Sequence, residues 1–253
     1  MKYLDEVDRI VFLGDYLDPY PSEGIETDPS KIVQNLKEII ELKLNHMEKV
    51  VLLKGNHDQH YASKRFRKLA AGTRMDKLHW DEYHGIFTKN RELFKIVHLE
   101  EIKGIPYLFS HAGVTIHWLN KVNLFVWHLA DDEISLADQE IVDKINALDN
   151  RGNGQNMLSI IGSSRSWYSV EKSGSVLWAG IDEHSIPEAP DKYGLNLVFQ
   201  VFGHTRLKDN CDKLELSNLA MIDSRQCFII DDIIDRKIMT VREYEQLKKP
   251  KCV

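Results

Sequence analysis

The chain has 253 residues, with 33 lysines and arginines against 39 aspartates and glutamates, which gives a formal net charge of −6. This acidic balance argues against a non-specific nucleic-acid binder, which is normally basic. Hydrophobic residues make up 43% and charged residues 28% of the chain, and these proportions exclude disorder as a global description. We therefore expect a folded protein without direct nucleic-acid contacts.

Three features bear on the cellular context of the chain. Its cysteines, Cys211, Cys227 and Cys252, are odd in number and lack metal-binding spacing, so no disulfide framework is predicted. No window approaches about 18 uninterrupted apolar residues, and the N-terminus lacks the apolar core of a signal peptide. We expect a reducing compartment, the cytoplasm, and no membrane partner.

The first elements along the chain predict a βαβ unit. The apolar run of residues 8–13 is typical of a buried strand, and Asp28 followed by Pro29 is typical of a helix start. One face of this helix is apolar and consists of Ile32, Leu36, Ile39, Ile40 and Met47. Residues 50–53 form the next predicted strand. Strand, helix and strand in this order imply parallel strands and a right-handed crossover.

The remaining elements predict an α/β domain with an antiparallel end. Residues 61–94 are expected to be mostly helical, Ser135 and Asp138 to form a capping box, and 150–154 to form a loop. Further strands are predicted at residues 95–100, 105–109, 176–179 and 197–202, and three short antiparallel strands at 219–223, 226–231 and 237–241. Residues 245–253 are expected to be a flexible tail. We interpret residues 1–253 as a single α/β domain.

Four predicted strands end in polar residues, in the segments 14–18, 55–58, 110–113 and 203–205. In open α/β sheets, ligands bind outside the carboxyl ends of the strands. Asp15, Asn56, His111 and His204 together offer a carboxylate, an amide oxygen and two imidazoles. This mixture suits Mn, Fe or Zn better than Ca. Each motif alone is also compatible with an ordinary turn, but the four together predict a metal site.

The four motifs GDYLD (14–18), GNHD (55–58), SHAG (110–113) and FGHT (202–205) resemble those of the calcineurin-like metallophosphoesterases, in the family order. The resemblance is closest to the branch with the Ser/Thr protein phosphatases and the symmetrical diadenosine tetraphosphatases. LAMID (219–223) and QCFII (226–230) look like the closing strands of that family. The resemblance implies a sandwich of mixed β-sheets flanked by helices. It also implies hydrolysis of phosphomonoesters or phosphoanhydrides by a metal-activated water.

The resemblance assigns a role to each candidate site residue. By resemblance, Asp15 bridges two metal ions, and the second ion is further held by Asn56, His111 and His204. His57 acts as the general acid that protonates the leaving oxygen, and Asp18 orients His57. The implied cofactors are two divalent ions, Mn²⁺ or else Fe or Zn.

The chain departs from the family pattern at its start. The family opens with an Asp-x-His strand that holds the first metal, whereas the first histidine here is His46. We expect either that the given start lies too late or that the chain is a truncated relative, with one metal ion instead of two. A missing strand would leave a sheet edge uncovered, which favours a homodimer through that edge.

The arginines that contact phosphate in the family also differ. Pro19 follows the GDYLD motif where protein phosphatases have arginine, and residues 178–180 lack the arginine that their resemblance implies. Arg206, two residues after His204, is the better candidate for phosphate binding, and Arg165 is the other.

Two further sets of residues are assigned structural roles. His60 is expected to be an exposed helix residue. The tryptophans are expected in the core or at its rim rather than as a nucleobase platform, namely Trp80, Trp118, Trp127 and Trp167.

Two functions follow from these observations. The first is a metal-dependent phosphoesterase that resembles protein serine/threonine phosphatases. The alternative is a non-catalytic or impaired phosphatase-like protein that binds phosphate, because the first metal site is incomplete. In both cases the partner is a phosphorylated protein, small molecule or nucleotide.

Overall fold

A parallel three-stranded sheet forms first along the chain. The structure is a computed structural model that describes residues 3–21, 24–69, 73–130, 133–150, 152–162, 171–184, 193–207, 211–224, 226–230 and 238–248. In spatial order, the strands of this sheet are β1 (Ile10–Phe12), β2 (Val50–Leu53) and β3 (Phe94–Lys95). Helix α1 (Pro29–Asn45) connects β1 to β2, so the predicted βαβ unit is confirmed.

Helix α1 begins as its sequence predicts. The Asp28 side chain accepts a hydrogen bond from the Ser30 backbone N–H at 2.9 Å, and Pro29 occupies the first helical position. The helix buries Val33, Leu36 and Ile40. Met47 lies beyond the end of the helix and is 49% exposed, so its predicted place on the apolar face is wrong.

Three helices follow β2. They are α2 (Asn56–Ala62), α3 (Lys64–Leu69) and α4 (Trp80–Lys89), and they confirm the prediction of a mostly helical segment. Trp80 and Trp118 are fully buried, as expected of core residues, whereas Trp167 lies outside the described residues.

The second sheet has five strands in the order β4-β5-β6-β8-β7. Strands β4 (Val97–Ile102) and β5 (Ile105–Ser110) form an antiparallel hairpin, and both turn residues between them have positive φ, as tight hairpin turns require. Strand β6 (Phe199–Phe202) runs parallel to β5, and β8 (Leu219–Met221) runs parallel to β6. Strand β7 (Leu214–Leu216) pairs antiparallel with β8.

Three predicted elements in the middle of the chain are wrong. Residues 176–179 form a buried turn rather than a strand, because the backbone N–H groups of Trp178 and Ala179 both donate back to the Ser175 carbonyl at 2.8 Å. Residues 152–154 of the loop predicted at 150–154 belong instead to helix α7 (Gly152–Leu158). Helix α6 (Gln139–Ala147) is capped by Asp138 rather than by Ser135, because the Asp138 carboxylate accepts from the Glu140 N–H.

The C-terminal part differs from its prediction in its strand pairing. Strands β9 (Phe228–Ile230) and β10 (Ile238–Thr240) pair antiparallel as a separate two-stranded sheet. Strand β8, predicted to be antiparallel with them, joins the five-stranded sheet instead. Helix α8 (Val241–Lys248) covers the start of the predicted flexible tail, and residues 249–253 lie outside the described residues.

The two larger sheets face each other across a shared core, which gives the predicted sandwich. Along β2, Val51 and Leu53 point into this core together with Tyr107 of β5 and Val201 of β6. Val50 and Leu52 point to the opposite face, where α1, α2 and α4 pack. The outer face of the five-stranded sheet is covered by α6, α7 and helix α5 (Ile116–Val122). All four side chains of β2 are therefore buried.

Two observations concern the surface of the fold. Within the described residues, no helix combines the length and the apolar character needed to cross a membrane. In the same part of the chain, β1 pairs with β2 alone. Pairing of two copies of the chain through the other edge of β1 stays a prediction.

Candidate metal centre and active site

The turns that follow β1 and β2 interlock through one buried carboxylate. Asp58 accepts hydrogen bonds from the backbone N–H groups of Asp15 at 2.7 Å, Tyr16 at 2.9 Å and Gly55 at 2.8 Å. Burial and the neighbouring Asp15 charge raise the pKa of Asp58 to about 7, against the lowering effect of these three donors. A Cβ on Gly55 would collide with the Asp15 carboxylate. The two turns therefore act as one unit that fixes the Asp15 side chain.

Three side chains from different strand ends converge at equal distances. The Asn56 Oδ1, His111 Nε2 and His204 Nδ1 atoms lie 3.0 Å from one another in all three pairs. An octahedral ion with bonds of about 2.1 Å places adjacent ligands about 3.0 Å apart. The Asp15 Oδ2 atom lies 3.5 Å from His111 Nε2. These four residues, here called the strand-end cluster, have the spacing of metal ligands.

The protonation of His111 supports this interpretation. Its Nδ1 donates to the Leu13 carbonyl at 2.8 Å, so in the neutral ring Nε2 is an acceptor. This acceptor faces another acceptor, the amide oxygen of Asn56, at 3.0 Å. Two lone pairs at this distance repel unless a cation lies between them. A backbone acceptor behind a ligating histidine also fixes its tautomer, as is usual at metal sites. The residues of the strand-end cluster therefore fit a divalent ion.

Backbone strain is concentrated at the same place. Five non-glycine residues of the described chain have positive φ, and three of them are Asp15, Asp18 and His204. The left-handed region is unfavourable for these residues and is held by the surrounding structure at functional sites more often than elsewhere. The strained turns support a site built for ligands.

His57 lies beside the strand-end cluster and is held by Asp18. The His57 Nδ1 atom is 3.1 Å from Asp18 Oδ2, and the Tyr61 hydroxyl donates to the other oxygen of Asp18. Burial alone would raise the pKa of Asp18, but its interactions with His57, His60 and Tyr61 hold that pKa at about 2. Burial likewise opposes the charged form of His57, yet the Asp18 hydrogen bond raises its pKa. Asp18 is therefore held as a carboxylate against Nδ1 of His57, and its role in orienting a general acid stays a prediction.

Arg74 is a site residue that the sequence reasoning missed. Its Nη2 lies 2.9 Å from His57 Nε2, its Nη1 donates to the Asp18 carbonyl, and its guanidinium stacks on Tyr20. Arg74 lies in an irregular segment before α4, and no local motif marks it. Only the tertiary fold places it against the predicted catalytic histidine.

His60 is buried rather than exposed, so that prediction is wrong. Its side chain is 5% exposed, and its ring lies 5.2 Å from His57 and 6.1 Å from Trp178, centroid to centroid. Residues three apart on a helix share a face, so the HxxH spacing in α2 places His60 beside His57. This spacing is the signal that could have found it.

The predicted phosphate-binding arginines remain predictions. Arg206 is exposed in the turn that follows β6, two residues after His204. Arg165 lies outside the described residues.

Comparison with known proteins identifies the family. The family model for calcineurin-like phosphoesterases matches residues 1–205 of the chain. The chain belongs to the calcineurin-like phosphoesterase family. Among solved structures, a cold-active protein tyrosine phosphatase is similar at 15% identity and a TM-score of 0.45, over 85% of this chain and 58% of that one. No curated protein matches the chain significantly.

Membership in the calcineurin-like phosphoesterases agrees with the geometry of the site. The family acts on phosphoesters with divalent metal ions, and the described chain brings Asp15, His111 and His204 within 4.8 Å of one another. The spacing of the ligand atoms in the strand-end cluster is therefore consistent with membership in this family.

Proposed function

We propose that this chain hydrolyses phosphomonoesters or phosphoanhydrides, in the manner of a protein serine/threonine phosphatase. The observation that carries the proposal is the equal 3.0 Å spacing of the Asn56, His111 and His204 ligand atoms beside the His57–Asp18 pair. Asp15 completes the ligand set. The proposed ion is Mn²⁺, with Fe or Zn as alternatives, because the donors mix imidazole with oxygen.

The strand-end cluster and the His57–Asp18 pair have different roles in the proposed reaction. A divalent ion in the strand-end cluster supplies charge for the phosphoryl oxygens and lowers the pKa of water. His57 stands on the leaving-group side, where the Asp18 hydrogen bond raises its pKa against the effect of burial and so favours the protonated form. Asp18 holds Nδ1 of His57, which leaves Nε2 as the atom that gives the proton to the leaving oxygen.

Arg74 must change partner for His57 to act. A guanidinium only donates hydrogen bonds, so its contact at 2.9 Å requires an unprotonated Nε2 on His57. When a substrate phosphate enters, its oxygens are stronger acceptors for Arg74 than the imidazole. Movement of Arg74 onto phosphate would free Nε2 to carry the proton. Arg206 is a second candidate contact for phosphate.

The role of His57 is tested by leaving-group dependence. With Mn²⁺ added, we expect His57→Asn to lose about 10²–10⁴-fold in kcat on phenyl phosphate and much less on p-nitrophenyl phosphate, whose leaving group needs no protonation. Bound Mn²⁺ per chain should not change. His128→Asn is the matched control, because His128 is exposed and its positive φ of 58° suits asparagine. Equal losses on both substrates would contradict a general acid.

The role of Arg74 is tested by removing its charge. Arg74→Met should raise KM for p-nitrophenyl phosphate about 10–100-fold, which corresponds to one charged hydrogen bond of about 1.5–3 kcal/mol. Arg74→Lys should recover part of this loss, because lysine keeps the charge without the planar fork. An unchanged KM in both variants, with the same metal content, would remove Arg74 from the phosphate site.

The alternative is a phosphate-binding protein without turnover. One observation favours it: among the described residues, the strand-end cluster supplies ligands for one ion. This alternative predicts one bound Mn²⁺ per chain, measurable phosphate binding by calorimetry and no hydrolysis. Two Mn²⁺ ions per chain, together with turnover, would exclude it.

A further inference from the structure

A second group of metal-binding side chains lies behind His57. Asp18, His57 and His60, here called the His60 cluster, offer three ligand atoms that lie within 4.8 Å of one another. The side chains are 1%, 12% and 5% exposed, respectively. Within the described chain, the Nδ1 atom of His60 is buried without a hydrogen-bond partner. A buried polar atom of this kind is costly and calls for an explanation.

Two distances in this cluster lie near the value expected around a tetrahedral ion. The Asp18 Oδ2 atom lies 3.1 Å from His57 Nδ1 and 3.7 Å from His60 Nδ1. The second distance is too long for a hydrogen bond. A tetrahedral ion with bonds of about 2.0–2.1 Å separates its ligands by about 3.3–3.4 Å. The two observed distances bracket this value, and His60 Nδ1 would gain the partner it lacks.

We propose that the His60 cluster is an inhibitory zinc site, formed by Asp18, His57 and His60. Two imidazoles and one carboxylate are a common three-residue ligand set for Zn²⁺, with a fourth position left for solvent. The His60 cluster shares no residue with the strand-end cluster, so the two sites are distinct in the structure. The bound ion would occupy both residues proposed for proton transfer. The inhibition therefore rests on the proposed function, whereas zinc binding does not.

Zinc binding changes the protonation of the ligating histidines. Zn²⁺ binds Nδ1 of neutral His57 and His60 and the ionised Asp18, and any proton held on either Nδ1 leaves to solvent or moves to Nε2 of the same ring. A proton on Nε2 of His57 would face the Nη2 donor of Arg74, now 2.9 Å away. Zinc binding therefore displaces Arg74 from His57, and this displacement is part of its cost.

The experiment compares zinc content in matched histidine variants. Wild type, His60→Asn and the control His128→Asn are saturated with Mn²⁺, exposed to Zn²⁺, freed of unbound metal by gel filtration and analysed for both elements. Exchange of Mn²⁺ for Zn²⁺ in the strand-end cluster affects all three equally. We expect His60→Asn to hold one fewer zinc ion per chain than the other two. Co²⁺ in place of Zn²⁺ should give wild type the strong visible absorption of a tetrahedral ion, and His60→Asn should lose it.

Separate control measurements test the folding and the activity of each variant. Circular dichroism and melting check each variant, and His60→Gln provides a second substitution if His60→Asn does not fold. In active protein, the zinc concentration for half-inhibition should rise at least about 10-fold in the His60 variants, each measured relative to its own zinc-free rate. Equal zinc content in folded wild type and His60 variants would overturn the site. A difference of one zinc ion in a chain that hydrolyses no phosphate would support the site and contradict the proposed function.

Discussion

Lys54 lies between strand β2 and the Gly55 turn, and its ammonium group forms an ion pair with Asp149. The two side chains are only 3% and 11% exposed. The Asp149 carbonyl is held in turn by Arg91 at 2.8 Å and Gln155 at 2.9 Å. The pair therefore ties a metal-ligand turn to the helical layer of the other sheet, and we expect its loss to destabilise the protein.

The magnitude follows from the burial of both charges. Breaking a buried pair costs about 3–5 kcal/mol, because one charge is left uncompensated. Asp149→Asn keeps the shape of the side chain but leaves the Lys54 charge without its partner carboxylate. We therefore expect the unfolding free energy to fall by about 3 kcal/mol. Lys54→Met should cost less, because Arg91 Nε lies 4.0 Å from the remaining Asp149 carboxylate. The double variant with Lys54→Met and Asp149→Leu should recover most of the loss, because no buried charge remains.

Urea unfolding measures these differences. With an m-value of about 3 kcal/mol/M, a loss of 3 kcal/mol lowers the midpoint by about 1 M. The m-value should not change, since the folded state stays the same. If Asp149→Asn costs less than about 1 kcal/mol, or if the double variant is as unstable as the sum of the single ones, the ion pair does not stabilise the turn.

Three further predictions concern a turn, a helix and a sheet edge. Gly55→Ala should lower Mn²⁺ affinity at least about 10-fold in a metal titration, because the new Cβ collides with the Asp15 carboxylate. Gly85→Ala, on the open face of α4, should raise the unfolding free energy by about 0.5–1 kcal/mol. Burial opposes ionisation of Glu100, but the Arg9 hydrogen bond lowers its pKa. The contribution of ionised Glu100 to the free energy of unfolding is therefore present above about pH 4.3. It is lost as the pH falls through the lower folded pKa. Glu100→Gln should thus cost less than about 1 kcal/mol at pH 7, and the cost should shrink as the pH falls through the folded pKa of Glu100. A stability difference that widens in acid would contradict this.

The site residues could be predicted where polar side chains follow an apolar strand in the sequence. The apolar run of β2 followed by Gly55, Asn56 and His57 marks both a buried strand and the residues at its end. Parallel strands bring such ends to one edge of the sheet, so the convergence of Asn56 with His111 and His204 was inferred without knowing any long-range contact.

The elements that could not be predicted depend on packing contacts that the local sequence pattern does not show. The apolar residues 176–179 are buried like a strand, but the Ala112 N–H donates to the Val176 carbonyl at 2.9 Å and the chain turns back on Ser175; an apolar run alone does not distinguish the two. Gly154 lies in a helix despite its loop-like neighbours, because a Cβ there would meet the Leu148 Cα at 2.7 Å and only glycine permits this approach. A tertiary contact overrides local propensity in the first case, whereas the second depends on the close local approach of Gly154 to Leu148.

The fold places acceptors on one side of the site and donors on the other. In the strand-end cluster, backbone hydrogen bonds lie behind the ligands: the Leu13 carbonyl fixes His111, and the His57 N–H fixes Asp15, which leaves lone pairs aimed at one point. Across the site, Arg74 directs a guanidinium beside His57. A cation satisfies the first side and an anion the second. A phosphoester bound to a divalent ion meets both requirements at once, whereas a metal ion alone or a phosphate alone leaves one side unmatched.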